Sequence, residues 1–215
     1  MKLLFPRPDP AMLQAIVIDS AGGITGGDSF ALTARAEAKT ALSLTTQAAE
    51  RAYRAQPGQV ANLRNTLAVD SGATLHWLPQ ETILYDGCAL RRRLSVDLAQ
   101  DASLLLVEPL VFGRAAMGET LRQAHFRDRI EVSRAGRPLF HDAMTLSGDV
   151  TAHLAAPHIA AGAGALATII YVAPDAEARL ARLRSQLPAN AGASLIGPDL
   201  LGARILAADS FDLRP

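Results

Sequence analysis

Gly22-Gly23-Ile24-Thr25-Gly26-Gly27-Asp28 places four glycines in six residues. Glycine adopts positive φ freely and lets other groups approach the main chain, so a cluster this dense marks a backbone requirement. A phosphate-binding loop is the first reading, and the flanking residues oppose it. A Walker loop needs Lys and then Ser or Thr after its last glycine, so that an ammonium and a hydroxyl meet phosphate and metal. Here Asp28 comes next, and its carboxylate would repel phosphate. A dinucleotide fingerprint needs a helix after its glycines. Instead, Phe30, Leu32, Ala34 and Ala36 alternate with Ser29, Thr33, Arg35 and Glu37, the period of a half-buried strand. The glycines therefore join two strands, over 13–18 and 30–36, through a tight and irregular turn. In its plainest form that turn is a hairpin loop.

Outward from the turn, the chain keeps the strand period. A strand is expected over 40–46. Residues 47–55 (Gln-Ala-Ala-Glu-Arg-Ala-Tyr-Arg-Ala) are good helix formers and predict a short helix. Leu63, Asn65, Leu67 and Val69 alternate with Asn62, Arg64, Thr66 and Ala68. Asp70-Ser71-Gly72 is turn chemistry, and 73–78 returns as a strand. Leu90, Arg92, Leu94, Val96 and Leu98 alternate with Arg91, Arg93, Ser95 and Asp97, before an apolar strand over 104–112. Residues 113–119 form a second connection bracketed by Gly113 and Gly118. Segments 127–134 and 139–146 flank Ala135-Gly136-Arg137-Pro138, a hairpin signal. A strand over 165–172 precedes a helix with Asp175 as N-cap and a stripe of Ala176, Leu180, Leu183 and Leu187, closed by Pro188. Residues 201–207 read as a closing strand, and the three prolines among residues 1–10 as an extended lead-in.

These segments repeat. Residues 35–47 align with 68–80 and, more loosely, with 97–109, at offsets of 33 and 29 residues. Each is a strand, a polar turn, a small residue and a Leu-rich strand. A unit recurring at that interval predicts stacked β-layers, each burying its neighbour's face.

Composition narrows the function classes. Hydrophobic residues make up 49% of the 215, enough for a sizeable core. Twenty-one basic residues balance 21 acidic ones, so no electrostatic footprint for nucleic acid or an anionic membrane is expected. The one cysteine, Cys88, permits no internal disulfide and suits a reducing compartment. The first residues are too soon broken by proline for a signal peptide, and the apolar run 155–173 is a poor membrane span. A cytoplasmic location is expected.

The residues that could carry chemistry are few. Glu81 and Asp86 flank an apolar stretch, and Glu108 and Glu119 lie around the second glycine connection. Carboxylate pairs do acid–base work when their surroundings separate their pKa values, or they hold a divalent cation. Asp86-Gly87 is equally a plain turn. The five histidines lack the spacing that puts two ligands on one helical face, and Cys88 has no CxxC partner. No nucleophile elbow supports Ser-His-Asp catalysis. The residues specify no enzyme.

The motifs in order resemble the urease accessory protein UreD family, called UreH in some bacteria. The matching stretches are Gly22, Gly23, Gly26, Gly27 and Asp28; Gln47-Ala48-Ala49 to Tyr53-Arg54; Leu78-Pro79-Gln80-Glu81-Thr82-Ile83; Glu108; Phe112-Gly113-Arg114 to Gly118-Glu119; and Arg134-Ala135-Gly136-Arg137-Pro138. The resemblance implies a mainly β fold over 1–215, layered into a right-handed, β-helix-like superhelix with a few short helices. It implies no catalysis of its own. It implies a scaffold that works with UreF and the GTPase UreG to deliver nickel to apo-urease. No tightly bound cofactor is expected, only transient Ni2+, and no nucleic acid or membrane partner. Glu81, Asp86, Glu108 and Glu119 are the expected passage-lining or interface groups, with Cys88 and the five histidines as weaker ligand candidates. Asp28 is expected to satisfy amides of its own turn. Family members carry more residues before the glycine turn and continue past residue 212, so this chain reads as short at both ends. Two other readings remain open: a β-helical carbohydrate-active enzyme and a generic β-solenoid interaction module. An aromatic content of only 5% argues against the enzyme.

Overall fold

The computed structural model describes residues 1–7 and 11–213. Residues 8–10 of the expected extended lead-in lie outside the described residues; before them β1 (Lys2–Leu4) pairs antiparallel with β2 (Leu13–Ile18). From β2 the chain winds through about four stacked coils. One broad face stacks β2, β4 (Ala41–Thr46), β7 (Thr74–Trp77) and β10 (Ser103–Phe112) in parallel. The other stacks β3 (Ser29–Ala36), β6 (Ala61–Val69), β9 (Ala89–Leu98) and β11 (Ala124–Arg134), also in parallel. A narrow third face holds Ile24, β5 (Glu50–Ala52), β8 (Thr82–Leu84) and the end of β10.

The repeat seen in the sequence is the coil. Leu42 pairs with Leu75 and Leu75 with Leu104, and Arg35 pairs with Ala68 and Ala68 with Asp97. Both series carry the offsets 33 and 29. Period-2 alternation sends one set of side chains inward on every strand. Leu67, Leu75, Leu94, Leu98, Leu104 and Leu106 are essentially fully buried in one core cluster. Ile24, Leu84, Leu90, Leu110 and Phe126 fill a second.

Beyond the coils, β11 turns back through Ala135-Gly136 into β12 (Arg137–Gly148). Both loop residues have positive φ, 48° and 74°, as a two-residue primed turn requires. A short α1 (Val150–Leu154), not foreseen in the sequence, is capped by Asp149 accepting the Ala152 amide. β13 (Ala165–Val172) pairs antiparallel with β10, and β15 (Leu200–Ala207) and β14 (Ala191–Gly197) extend that sheet. α2 (Ala176–Gln186) lies against β14 and β15. Asp175 stands at the N-cap of α2 as expected but makes no side-chain cap bond; its carboxylate accepts the Tyr171 hydroxyl and pairs with Arg179.

Two expectations are corrected. β2 and β3 belong to different sheets, so the glycine turn is no hairpin but a corner between two faces of a coil. Residues 47–55 form no helix. Glu50–Ala52 is a strand because the winding of the coil puts it in register with Ile24 on one side and Thr82–Leu84 on the other. A ladder on one edge and a bridge on the other outweigh the helix preference of a few alanines, which is worth only tenths of a kcal/mol per residue.

Candidate functional site

The glycine turn shapes a cavity. Ile24 is buried, its amide donates to the Arg51 carbonyl, and its carbonyl accepts the Tyr53 amide. Gly23 has φ +141°, and a Cβ there would collide with the Tyr53 ring and come within 2.8 Å of the Arg51 carbonyl. Gly26 faces the Ala55 and Gln59 side chains at 2.7 and 2.8 Å in the same sense. Asp28 accepts the Thr25 amide at 2.8 Å, closing the turn on itself. At its start, Asp19 accepts the amides of Ala21 and Gly23 at 2.9 and 3.2 Å. Behind the turn lies a space of about 80 Å³, with room for several waters by its size. Asp19 and Glu50 stand at its half-exposed end, and Trp77, Thr82, Arg92 and Glu108 line its deep end. Burial, reinforced by the neighbouring Asp19, pushes the Glu50 carboxyl up to about 7.

The deep end is a buried ionic cluster. Inward rows run across the strands: Leu90 beside Phe126, then Arg92 beside Asp128, then Leu94 beside Ile130. The charged row therefore separates the two apolar clusters. Arg92 holds Asp128 through two hydrogen bonds of 2.9 and 2.6 Å and meets Glu108 at 2.6 Å. Its guanidinium also donates to Thr82, and the Trp77 indole donates to Glu108 at 2.6 Å. Burial works against the Arg92 charge, yet Asp128 and Glu108 hold the guanidinium above its ordinary value. Burial raises the Glu108 carboxyl, with Arg92 opposing. One guanidinium faces two carboxylates, so the fully ionised cluster carries one negative charge in excess. In a low-dielectric interior that excess favours either a proton or a cation.

The structure distributes the expected site residues. Glu108 alone of the five lines this cavity. Asp86 sits in a turn: it accepts the Arg122 and Gln123 amides and pairs with Arg54 at 2.7 Å. Burial works against the Asp86 charge, but these amides and Arg54 keep its carboxyl below the usual range. Glu119 is clamped by Arg114 through the guanidinium at 2.8 and 3.0 Å and the amide at 3.1 Å, which lowers its pKa. Cys88 is buried, and burial pushes its thiol up to about 11, so the thiolate that binds metals is scarce near neutrality. Glu81 borders a separate shallow space with Pro79, Val107 and Pro109. Among the described residues, no three His, Cys, Asp or Glu side chains gather as a metal cluster.

The two glycine connections meet through aromatic contacts. Tyr53 donates to the Gly22 carbonyl and packs edge-on against Tyr85, with centroids 4.9 Å apart. The Arg114 guanidinium lies over the Tyr85 ring at 4.3 Å. The Gly113 amide, at φ +82°, donates to the Leu84 carbonyl. Gly113 and Arg114 thus brace the narrow face. The residues missed in the sequence are Asp19, Glu50, Asp128 and the inward role of Arg92. A signal existed for two of them and for Glu108: each interrupts an otherwise apolar period-2 row, Leu90-x-Arg92-x-Leu94, Leu106-x-Glu108-x-Leu110 and Phe126-x-Asp128-x-Ile130.

Comparison with known proteins gives the family of the chain. The family described as UreD urease accessory protein matches residues 1–215. The urease accessory protein UreD of Ruegeria pomeroyi is 61% identical over 213 residues, covering 99% of this chain and 83% of that protein. The protein of the same name from Ruegeria sp. (strain TM1040) is 55% identical over 224 residues, covering 100% and 74%. That of Roseobacter denitrificans is 48% identical over 214 residues, covering 100% and 78%. With its whole length matched, the chain belongs to the UreD family of urease accessory proteins.

Proposed function

We propose that this chain serves urease maturation as a non-catalytic scaffold, and that Ni2+ passes through its coils on the way to apo-urease, with UreF and the GTPase UreG as its partners. The observation that supports the passage is the cavity between Asp19 and Glu50 at one end and the Arg92–Glu108–Asp128 cluster at the other. A delivery route must attract a divalent cation without keeping it. Imidazole and thiolate clusters hold late divalent metals tightly, whereas carboxylates already engaged by amides and a guanidinium offer charge with few free lone pairs. Asp19 is engaged by its turn amides, and Glu108 by Arg92 and Trp77. A hydrated cation would be drawn by the excess negative charge and keep most of its water. Glu50, protonating near neutrality, would release as readily as it attracts. The glycine turn with Asp28 lacks the lysine that would hold nucleotide, so GTP hydrolysis falls to the GTPase partner.

The test is a urease-activation assay with all accessory proteins, titrated with nickel. The double variant Asp19→Asn/Glu50→Gln should activate urease several-fold less at limiting nickel and recover at excess nickel, with partner capture unchanged. Equal activation by variant and wild type at limiting nickel would refute the passage. Failure of the wild-type chain to capture UreF, UreG and apo-urease would refute the scaffold.

A further inference from the structure

The outer face of the second broad sheet carries a lattice of arginines that neither the cavity nor the coil needs. β6, β9 and β11 lie side by side in register, and their outward residues form rows. Asn62, Arg91 and Arg127 make one row; Arg64, Arg93 and Arg129 make the next. All six side chains are exposed, and they line a shallow groove of about 430 Å³. Adjacent strands are about 4.8 Å apart and alternate residues about 6.6 Å apart along a strand, so five guanidinium groups share roughly 10 by 7 Å. Like charges directly opposite one another weaken a sheet. In a chain with 21 basic and 21 acidic residues, this concentration is not a by-product of composition.

Few counter-charges reach it. Glu131, one row further along, pairs with Arg93 at 2.5 Å and more loosely with Arg129 at 3.7 Å. Arg64, Arg91 and Arg127 have no ion pair among the described residues. The shoulders are small and uncharged: Ser29 and Ala31 on β3, Thr145 and Ala143 on β12. They leave the groove open to a rod-shaped object laid across the strands.

We propose that this groove is a docking surface for an acidic α-helix of a partner protein in the maturation assembly. Carboxylates three or four residues apart on a helix stand about 5–6 Å from one another. That spacing matches the step from Arg64 to Arg93 to Arg129. Arginine forks bind carboxylates bidentately, which gives both register and affinity. A nucleic acid, duplex or single-stranded, fits less well. The basic area ends after three strands, turns acidic at Glu131 and Asp97, and offers no aromatic side chain for stacking. The proposal rests on the maturation reading only for the identity of the proteins to assay.

The test compares the full chain with Arg64→Gln/Arg91→Gln/Arg127→Gln in capture of purified UreF, UreG and apo-urease, at 50 and 500 mM salt. Arg137→Gln/Arg182→Gln, at positions that do not line the groove, is the control. Capture of one acidic partner should fall about tenfold in the triple variant at low salt, with the melting temperature unchanged or raised. High salt should weaken wild-type capture towards that of the variant. Equal capture by the triple variant and the control would overturn the docking surface while leaving the scaffold reading intact. Capture of none of the three by the wild type would sink the scaffold reading. Retention of the wild type on duplex DNA at physiological salt, lost in the triple variant, would replace the acidic helix with nucleic acid.

Discussion

Glu50→Gln isolates the electrostatic cost of the cavity. The substitution keeps the shape of the side chain and removes its ionisation. In the folded chain burial, with Asp19 beside it, raises the Glu50 carboxyl from 4.5 to about 7. A raised value means that the fold favours the protonated form. The associated stability is fully present below about 4.5 and is lost as pH rises through about 7. A shift of about 2.5 units corresponds to roughly 3.4 kcal/mol for a fully enclosed group. Glu50 is half-exposed, so screening reduces this to about 1–2 kcal/mol. Glu50→Gln should therefore match the wild type at pH 4.5 and exceed it by about 1–2 kcal/mol at pH 8. Urea unfolding of both proteins across pH 4.5–8 measures this difference. A pH-independent difference, or a variant less stable than wild type at pH 8, would refute the account of the cavity as a site that resists negative charge.

Arg92→Met should cost about 3–5 kcal/mol, because it leaves Glu108 and Asp128 buried without their shared cation. Glu108→Gln, which keeps the neutral Arg92–Asp128 pair and an acceptor for Trp77, should cost about 1 kcal/mol or less, and the reverse order in urea unfolding would overturn the charge assignment. Gly23→Ala, strained at φ +141° and blocked by Tyr53 and the Arg51 carbonyl, should lose about 3 kcal/mol, whereas Gly22→Ala, at φ +83° in open space, should lose about 1–2 kcal/mol, with equal melting temperatures contradicting the close-approach reading.

Much of the architecture was written locally. Alternation is a property of neighbouring residues, so the rows of β3, β6, β9, β10 and β11 were readable, and so was their repeat, because each coil must return to the same register. The hairpin reading of the glycine turn failed because turn chemistry says that the chain reverses or bends, not which sheet receives it. The helix expected over 47–55 failed because its competitor was a ladder built from residues about 30 positions away. The ordered motifs carried the family, since several weak signals at fixed spacing are jointly specific.

The site was the least legible part. Asp86, Glu119 and Cys88 stand out in the sequence, yet hydrogen bonds from Arg54, Arg114 and the 122–123 amides make the first two parts of the turns, and burial leaves the thiol protonated. Period-2 patterning needs nothing beyond the chain's own order, so the coil, its repeat and the inward rows that hold Arg92, Glu108 and Asp128 are already encoded in the residues. Folding in three dimensions is what makes those three meet, turns Asp19 and Glu50 toward one space, and lines up five arginines on the opposite side of the sheet. Such meetings depend on inter-strand register, which sets Arg92 beside Asp128, 36 positions away, and no local signal encodes the partner across that gap.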